Sequence, residues 1–375
     1  MIATENTSPP VLIIDLAKQY GGAEVRVFTL ASELHGRHPY AAAVLNNSPL
    51  HKKLVTAGLS CIALTHGRGN PLMFFALKRI IRSNNFKIVD AHNPQSQFWG
   101  LSAAAAAGVT VRISTVHSAY GITDKGMRKF LYEAALSLNR FHGCRFIAVS
   151  ESVSAYLQSL RIDKERITII SNGIKTTESP ESDCAVRKLF GIGKDDYLIA
   201  AVGRLEPVKG HKYLIQAMKN AVKKHPLIHC LIIGEGRMKK ELQSMVMNEK
   251  LEGNIHFTGF SHDVREILNC CNAFCMPSLS EGHPYALLEA CAGALPVLAT
   301  STGGIKDLLE NNRTGILVQP GSSEALEKGI LWLVENTAES AIMGQAAYKM
   351  VSEKFSIERM MMETLKVYGI KKHDA

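Results

Sequence analysis

The feature that most constrains this chain is an alternation that runs through it twice. Short apolar runs recur at Val11–Asp15, Tyr40–Leu45, Cys61–Leu64, Ile88–Ala91, Val111–Val116 and Phe146–Val149. They are apolar nearly along their whole length, as strands are when both sheet faces are covered. Between them lie stretches of helical length, such as Pro71–Ser83 and Gln95–Ala107. Strands alternating with helices predict right-handed crossovers and a parallel sheet.

The alternation breaks at Thr176–Asp183, a polar segment with a proline and no periodicity, which reads as a linker. It then restarts with Leu198–Val202, His229–Ile233, Ile255–Phe257, Ala273–Met276, Pro296–Ala299 and Ile316–Val318, and from about Glu324 onward only helices are expected. A length of 375 residues allows about two domains at roughly 150 residues each. The expected fold class is α/β, with two doubly wound Rossmann-like domains facing a central cleft. The expected division is 1–175, 184–353, and a C-terminal helix within 354–375 that packs back toward the first domain. Ligands of such sheets bind outside the carboxyl ends of the strands.

Charge narrows the partners. Residues 1–175 hold 20 Lys/Arg against 10 Asp/Glu, so the whole excess of +9 lies in the first half. An anionic partner there, such as a membrane surface or a phosphorylated acceptor, competes with a merely solvated basic face. Pro71–Arg82 mixes apolar and basic residues over a helical length and suits an anionic membrane, with Lys125, Arg128 and Lys129 able to serve the same face. A core-facing helix with a basic outer edge would look the same. The interleaved basic and aromatic pattern of a nucleic-acid module is missing, so no nucleic acid is expected. No apolar run approaches the ~20 residues of a membrane span. The start, MIATENTSPP, lacks the basic opening of a signal peptide, so a cytoplasmic protein is expected, peripheral on the inner face of the membrane if the basic half binds it. The eight cysteines show no metal-ligand spacing and read as buried free thiols.

Three stretches carry chemistry. Val11–Asp15 leads into Gly21-Gly22-Ala23-Glu24, where a strand, a glycine pair and a helix start let backbone N–H groups approach a phosphate or sugar. No G-x-G-x-x-G accompanies it, which counts against a dinucleotide oxidoreductase. Gly203-Arg204-Leu-Glu-Pro-Val-Lys209-Gly210 sets two cations beside an expected helix start, a combination suited to a diphosphate. In Ser280-Glu281-Gly-His283-Pro284-Tyr285-Ala286-Leu-Leu-Glu289, Pro284 is expected to open a helix, with Glu281 in the loop before it and Glu289 in its second turn. Carboxylates there can accept from sugar or ribose hydroxyls, and the first-turn N–H groups around Tyr285 and Ala286 point the same way.

The stretch Glu281–Glu289 resembles the Glu-x7-Glu signature of the retaining glycosyltransferases of family four, which have the GT-B fold. Gly203-Arg204-Leu-x-x-x-Lys209-Gly210 resembles their phosphate-binding sequence. Thr115-Val116-His117, Ser171-Asn172-Gly173-Ile174, Gly234-Glu235-Gly236 and Thr302-Gly303-Gly304 match in order. The resemblance runs from about residue 11 to residue 355 and implies roles. Arg204 and Lys209 hold the donor diphosphate, and Glu289 takes the ribose hydroxyls. Glu281 and His117 are the catalytic pair at the donor sugar, and Gly21 and Gly22 bring the backbone close to phosphate and sugar. His283, Tyr285 and Ala286 complete the donor-binding set. The implied reaction moves a hexose-type sugar from a nucleotide-diphosphate sugar, with UDP the expected carrier, to a hydroxyl acceptor in cell-surface polysaccharide, lipid-linked glycan or glycolipid synthesis. No cofactor and no metal are expected, since the nucleotide sugar is itself a substrate.

Departures from the family pattern bear on the sugar. His283 stands where relatives often carry an aromatic residue, Lys175 where many carry an acid, and Lys306 replaces a common proline. The competing readings are a nucleotide-sugar epimerase or hydrolase on the same fold, separable by acceptor dependence, and a binding module that has lost activity. A glycogen-type phosphorylase would need a pyridoxal cofactor and a much longer chain.

Overall fold

The computed structural model of the protein describes residues 8–119, 126–176, 184–261 and 263–370, with only the backbone of Arg128. Most of the expected linker, residues 177–183, lies outside the described residues, as do Lys125 and the side chain of Arg128. The chain forms two compact units, Met1–Gly173 joined by Ile357–Ala375, and Ile174–Ser356.

The first unit is a seven-stranded parallel sheet of β1 (Val11–Asp15), β2 (Tyr40–Leu45), β3 (Cys61–Leu64), β4 (Ile88–His92), β5 (Val111–Val116), β6 (Arg145–Ala148) and β7 (Ile167–Ile169). Their order is β3-β2-β1-β4-β5-β6-β7. Alternation within β1 shows why the strand is apolar throughout. Leu12 and Ile14 enter one core with Met73, Leu77 and Leu101 from helices Leu72–Ser83 and Pro94–Ala106. Val11 and Ile13 enter the opposite core with Val27 and Leu30 of helix Gly22–Leu34. Each such fully buried side chain contributes about 2 kcal/mol of hydrophobic stabilisation.

That second core is completed from the far end of the chain. Helix Ile357–Tyr368 places Met360, Met361, Val367 and Tyr368 in it. Gly173 N–H bonds to Met360 Sδ at 3.2 Å, and Arg145 Nη1 donates to Val367 O at 2.8 Å.

The second unit holds six parallel strands: β8 (Tyr197–Val202), β9 (Ile228–Ile233), β10 (Ile255–Gly259), β11 (Ala273–Met276), β12 (Val297–Thr300) and β13 (Ile316–Val318). Their order is β10-β9-β8-β11-β12-β13. In both sheets the order reverses next to the unit's first strand, between β1 and β4 and between β8 and β11. A doubly wound sheet opens a crevice at that point, because the following connections leave on opposite faces.

Three local expectations differ from the structure. β7 is not among the expected strands, because three residues at a sheet edge make too short a pattern. Pro284 is not the first helical residue. Its ψ of 121° leaves it extended, and the helix runs Tyr285–Ala292. Lys209 does not open a helix either. It closes the 3-10 turn Pro207–Lys209, and the helix begins at His211.

Candidate functional site

In the second unit the candidate side chains of the β8 and β11 loops converge on the β8/β11 switch point. After β8, Gly203 N–H donates to Ile233 O at 3.0 Å and Leu205 N–H to Glu235 O at 2.9 Å, so Arg204 between them rides on a pinned backbone with its side chain exposed. Gly210 then has φ +69°, and a Cβ there would lie 2.0 Å from Pro277 O. Only glycine lets the Lys209 turn press so closely on the loop after β11. Leu279 N–H donates to Val208 O at 2.7 Å and joins the same two loops.

That apposition brings Lys209 and Glu281 together. Lys209 Nζ donates to Glu281 Oε1 at 2.6 Å, and the buried Ser278 hydroxyl donates to the same oxygen at 2.6 Å. The side chains are 20% and 7% exposed. Oε1 is engaged twice, while Oε2 has no hydrogen bond among the described residues. The Glu281 backbone is clamped as well. Gly304 N–H donates to its carbonyl at 3.1 Å, and a Cβ on Gly303, at φ +49°, would sit 1.9 Å from that carbonyl oxygen.

Helix Tyr285–Ala292 has no side-chain cap, because Pro284 precedes it. The first-turn N–H groups around Ala286 therefore lack intrahelical partners and carry the positive end of the helix dipole. Glu289 lies in the second turn, half-buried. The side chains of His283 and Tyr285 are buried at 4% and 5% exposure, and the His283 ring packs 5.3 Å from that of Phe355. These two positions therefore offer a ligand mainly backbone.

His211 is part of this construction and carries no signal of its own in the sequence. Its ring is 3% exposed at the first position of helix His211–Lys224, beneath Gly203. Burial, and then the neighbouring Lys209 charge, push its pKa down to about 4. It is a neutral support for the cationic loop at any working pH.

In the first unit, Gly21 is extended and caps helix Gly22–Leu34 through its backbone alone. The first-turn N–H groups from Gly22 onward thus lack intrahelical partners. Close by, Asp15 ends β1 at 1% exposure. Its Oδ1 accepts from Ala17 N–H at 2.7 Å and Asn93 Nδ2 at 3.0 Å, while Oδ2 is buried with no partner among the described residues. Burial, and next the Glu24 charge, hold its carboxyl well above the usual carboxylate range.

His117 follows β5 and is half-buried. Its Nε2 is 2.9 Å from His92 Nδ1, and His92 Nε2 is 3.4 Å from Asp90 Oδ2. Asp90 also accepts from Thr115 Oγ1 at 2.7 Å and from the Tyr368 hydroxyl at 2.8 Å. Burial first, then His92 and Arg26, hold the His117 pKa well below the usual imidazole range. A signal for this cluster is present in the sequence. Asp90 and His92 are polar at alternate positions of an otherwise apolar strand, and so share one face.

The structure thus brings Lys209 and Glu281 into contact, sets Arg204 on the same loop as Lys209, and places Ala286 and Glu289 on the helix that follows Glu281. Gly21, Gly22 and His117 lie at carboxyl-side strand ends of the first unit.

Known proteins resemble the chain in sequence and in fold. The family model described as "Glycosyl transferases group 1" matches residues 185–350, and that described as "Glycosyltransferase Family 4" matches residues 20–178. The chain is 26% identical over 252 residues, 65% of each protein, to the UDP-Gal:alpha-D-GlcNAc-diphosphoundecaprenol alpha-1,3-galactosyltransferase of Escherichia coli. It is 27% identical over 289 residues to the capsular polysaccharide biosynthesis glycosyltransferase CapM of Staphylococcus aureus, covering 75% of this chain and 76% of that one. It superposes on Anabaena Alr3699/HepE, solved in complex with UDP-glucose, with a TM-score of 0.86 at 20% identity, over 96% of this chain and 99% of that one.

Proposed function

The chain belongs to the glycosyltransferases of family four, with the GT-B fold, and on that premise we propose that it transfers a hexose from a UDP-sugar to a hydroxyl acceptor with retention of anomeric configuration. The observation that carries this reading is the meeting of Lys209, Ser278 and Glu281 at the β8/β11 switch point.

Breaking the anomeric bond leaves an oxocarbenium-like sugar and a diphosphate of growing negative charge. Arg204, Lys209 and the uncapped first turn at Ala286 are fixed positive groups for that charge, and preorganised groups of this kind usually contribute most to rate acceleration. In this reading the reaction needs neither metal nor cofactor. Glu281 is held in one rotamer through Oε1 and offers Oε2 to the hydroxyls of the donor sugar. Glu289 takes the ribose hydroxyls, the backbone of His283 and Tyr285 lines the donor, and Gly21 and Gly22 bring the first unit's backbone to phosphate and sugar. His117 contacts the donor sugar as a neutral imidazole.

UDP as carrier is supported by the UDP-sugar in the name of the Escherichia coli relative and in the Anabaena complex. The names of relatives also favour an acceptor in polysaccharide or lipid-linked glycan synthesis. The test is a panel of UDP-, GDP- and ADP-hexoses assayed with and without an undecaprenyl-diphosphate-sugar acceptor. Acceptor-dependent release of UDP is expected. Release from the donor at the same rate without acceptor would instead mark a hydrolase, and turnover of GDP- or ADP-sugars alone would exclude the UDP assignment.

The acceptor side suits a membrane surface. Helices Leu72–Ser83, Pro94–Ala106 and Gly126–Phe141 pack side by side in the first unit. They leave Leu72, Phe75, Phe98, Met127, Phe130 and Leu131 exposed, beside Lys78, Arg79 and Lys129. Large apolar side chains interleaved with cations fit the interface of an anionic bilayer. We place the protein peripherally on the cytoplasmic face of such a membrane, and no helix among the described residues is long and apolar enough to cross it.

A further inference from the structure

The large apolar side chains exposed on the first unit are not scattered. Leu72, Phe75, Phe98, Met127, Phe130 and Leu131 all lie in the first two turns of helices Leu72–Ser83, Pro94–Ala106 and Gly126–Phe141. Each of these helices connects two parallel strands, so it runs against them and starts at the carboxyl end of the sheet. All three bury their other side in one core, through Met73 and Leu77, Leu101, and Leu136 in turn. Their starts therefore form an apolar rim at the same end of the sheet as Gly21, Gly22 and His117. We infer that this rim is the part of the first unit that enters the membrane, and that the acceptor is carried on a lipid of the same leaflet, a reading that rests on the membrane placement proposed above.

The cations of the first helix occupy its other end. Lys78, Arg79 and Arg82 follow Phe75 at helical spacing, and with Phe75 and Ser83 they line an open surface pocket of about 520 Å³. Arg82 is fixed there, since its Nη2 donates to Ala106 O at 3.2 Å, at the end of the neighbouring helix. A helix that lies flat in an interface carries its apolar and cationic residues on opposite faces along its whole length. Here the two kinds are separated along the axis instead. Phe75 and Ser83 lie about 12 Å apart along it, enough to cross a headgroup layer of roughly 5–8 Å. An end-on approach puts the apolar starts among the acyl chains and leaves the cations level with the phosphates of anionic lipids. Lys129 stands among the apolar residues but reaches along its helix toward the far end, to Glu133 at 3.8 Å. Its long stem lets the charge rise to the headgroups.

Two of the exposed rings are held outward. Phe74 meets Phe75 edge to face at 5.2 Å, and Trp99 meets Phe98 at 4.6 Å, with Trp99 Nε1 donating to Arg68 O at 2.8 Å. A ring already fixed loses less conformational freedom when it enters lipid. Elsewhere on the unit, among the described residues, exposed large apolar side chains stand singly. Val55 and Met362 are on other helices, and Phe141, at the far end of Gly126–Phe141, carries the Arg140 guanidinium 5.1 Å over its ring.

The shared end bears on the acceptor. The rim and the proposed donor contacts Gly21, Gly22 and His117 all lie beyond the carboxyl ends of the strands. A sugar on a lipid diphosphate reaches that end while its hydrocarbon stays in the leaflet that the rim has entered. A soluble glycan gains nothing from the rim.

The test places tryptophan at three exposed positions, as Phe75→Trp, Phe130→Trp and Ser83→Trp. The vesicles are equal parts phosphatidylcholine and phosphatidylglycerol, with acyl chains brominated or not. Against the background of Trp99 and Trp332, the probes at 75 and 130 should lose most of their emission to brominated lipid, and the probe at 83 little. Flotation with equal or reversed quenching would overturn the inferred orientation and leave the membrane placement standing. Failure of the wild type to float with these vesicles would remove both. A protein that sediments as a dimer without vesicles, and as a monomer after Phe75→Ser with Phe130→Ser, would assign the face to a second copy instead. For the acceptor, an undecaprenyl-diphosphate sugar in the vesicles should be used about 10-fold faster or more than the same sugar diphosphate on a short water-soluble chain, because the membrane confines enzyme and acceptor to one surface. Phe75→Ser with Phe130→Ser should remove most of that difference. Equal wild-type rates on the two acceptors would refute the acceptor class. No transfer to either would remove the proposed reaction, while the quenching would still decide the orientation.

Discussion

At the scale of single residues, the pairing of Lys209 with Glu281 matters most. The sequence suggests separate tasks for them, diphosphate for the lysine and sugar for the glutamate. The 2.6 Å contact shows that each also orients the other. Removing either leaves a partly buried charge without its partner, which typically costs a few kcal/mol. Glu281→Ala should therefore lower transfer at least 100-fold. Lys209→Ala should lower turnover and weaken donor binding together, which steady-state kinetics on purified variants would show. Near-wild-type rates in Glu281→Ala would remove it from the site. His211 makes a second residue-scale prediction, on stability. Its folded pKa of about 4 lies below the ordinary imidazole value of 6.5. Its stabilising contribution is therefore complete above pH 6.5 and is lost as pH falls toward 4, by about 3 kcal/mol across the window. Denaturant unfolding of His211→Gln at pH 7 and pH 4.5 should show a smaller acid destabilisation than the wild type. Equal slopes for the two proteins would contradict the assignment.

At the scale of elements, the site depends on loops that touch backbone to backbone. Gly303→Ala would place a methyl carbon 1.9 Å from Glu281 O at a positive φ, so the loop must move. About 2 kcal/mol or more of stability should be lost, visible as a lower melting temperature. Transfer should fall further than the melting shift alone explains, because Glu281 moves with the loop. A variant with wild-type stability and activity would refute the close approach. The strands themselves are legible almost throughout, since doubly covered parallel strands are continuous apolar runs. Each expected run coincides with an observed strand, and the shifts at their ends amount to one or two residues. The short edge strand β7 carries too little pattern to be read. Proline is common at the first helical position, but Pro284 sits one step outside, in an extended conformation. Residues quoted for the site on chemical grounds lie on loops at strand ends or in the first two turns of the helices that follow. Those left unread, Ser278, His211, Asp90 and His92, act through partners distant in sequence or folded onto them by a loop. A serine in a loop has no meaning until the partner is beside it, and the polar alternation of Asp90 and His92 marks a shared face of the strand without naming what they meet.

At the scale of the whole molecule, the excess positive charge and the apolar side chains exposed along helices Leu72–Ser83, Pro94–Ala106 and Gly126–Phe141 fall on the same unit. Liposome flotation should recover the protein with anionic vesicles at low salt and lose it at high salt, since surface attraction is screened beyond about 10 Å at 0.1 M. Replacing Phe75 and Phe130 by serine should weaken the association at both salt concentrations. Failure to float with anionic vesicles at low salt would contradict the membrane assignment without touching the donor site. The family and the two doubly wound units make the chain a glycosyltransferase, and the proposed reaction is one that closes the anomeric bond on the face from which it opened. Retention is read directly by NMR of the product formed from an α-configured UDP-hexose and a hydroxyl acceptor. An α-configured glycosidic bond is expected. A β-configured product, or no product while UDP is released, would contradict the proposed reaction.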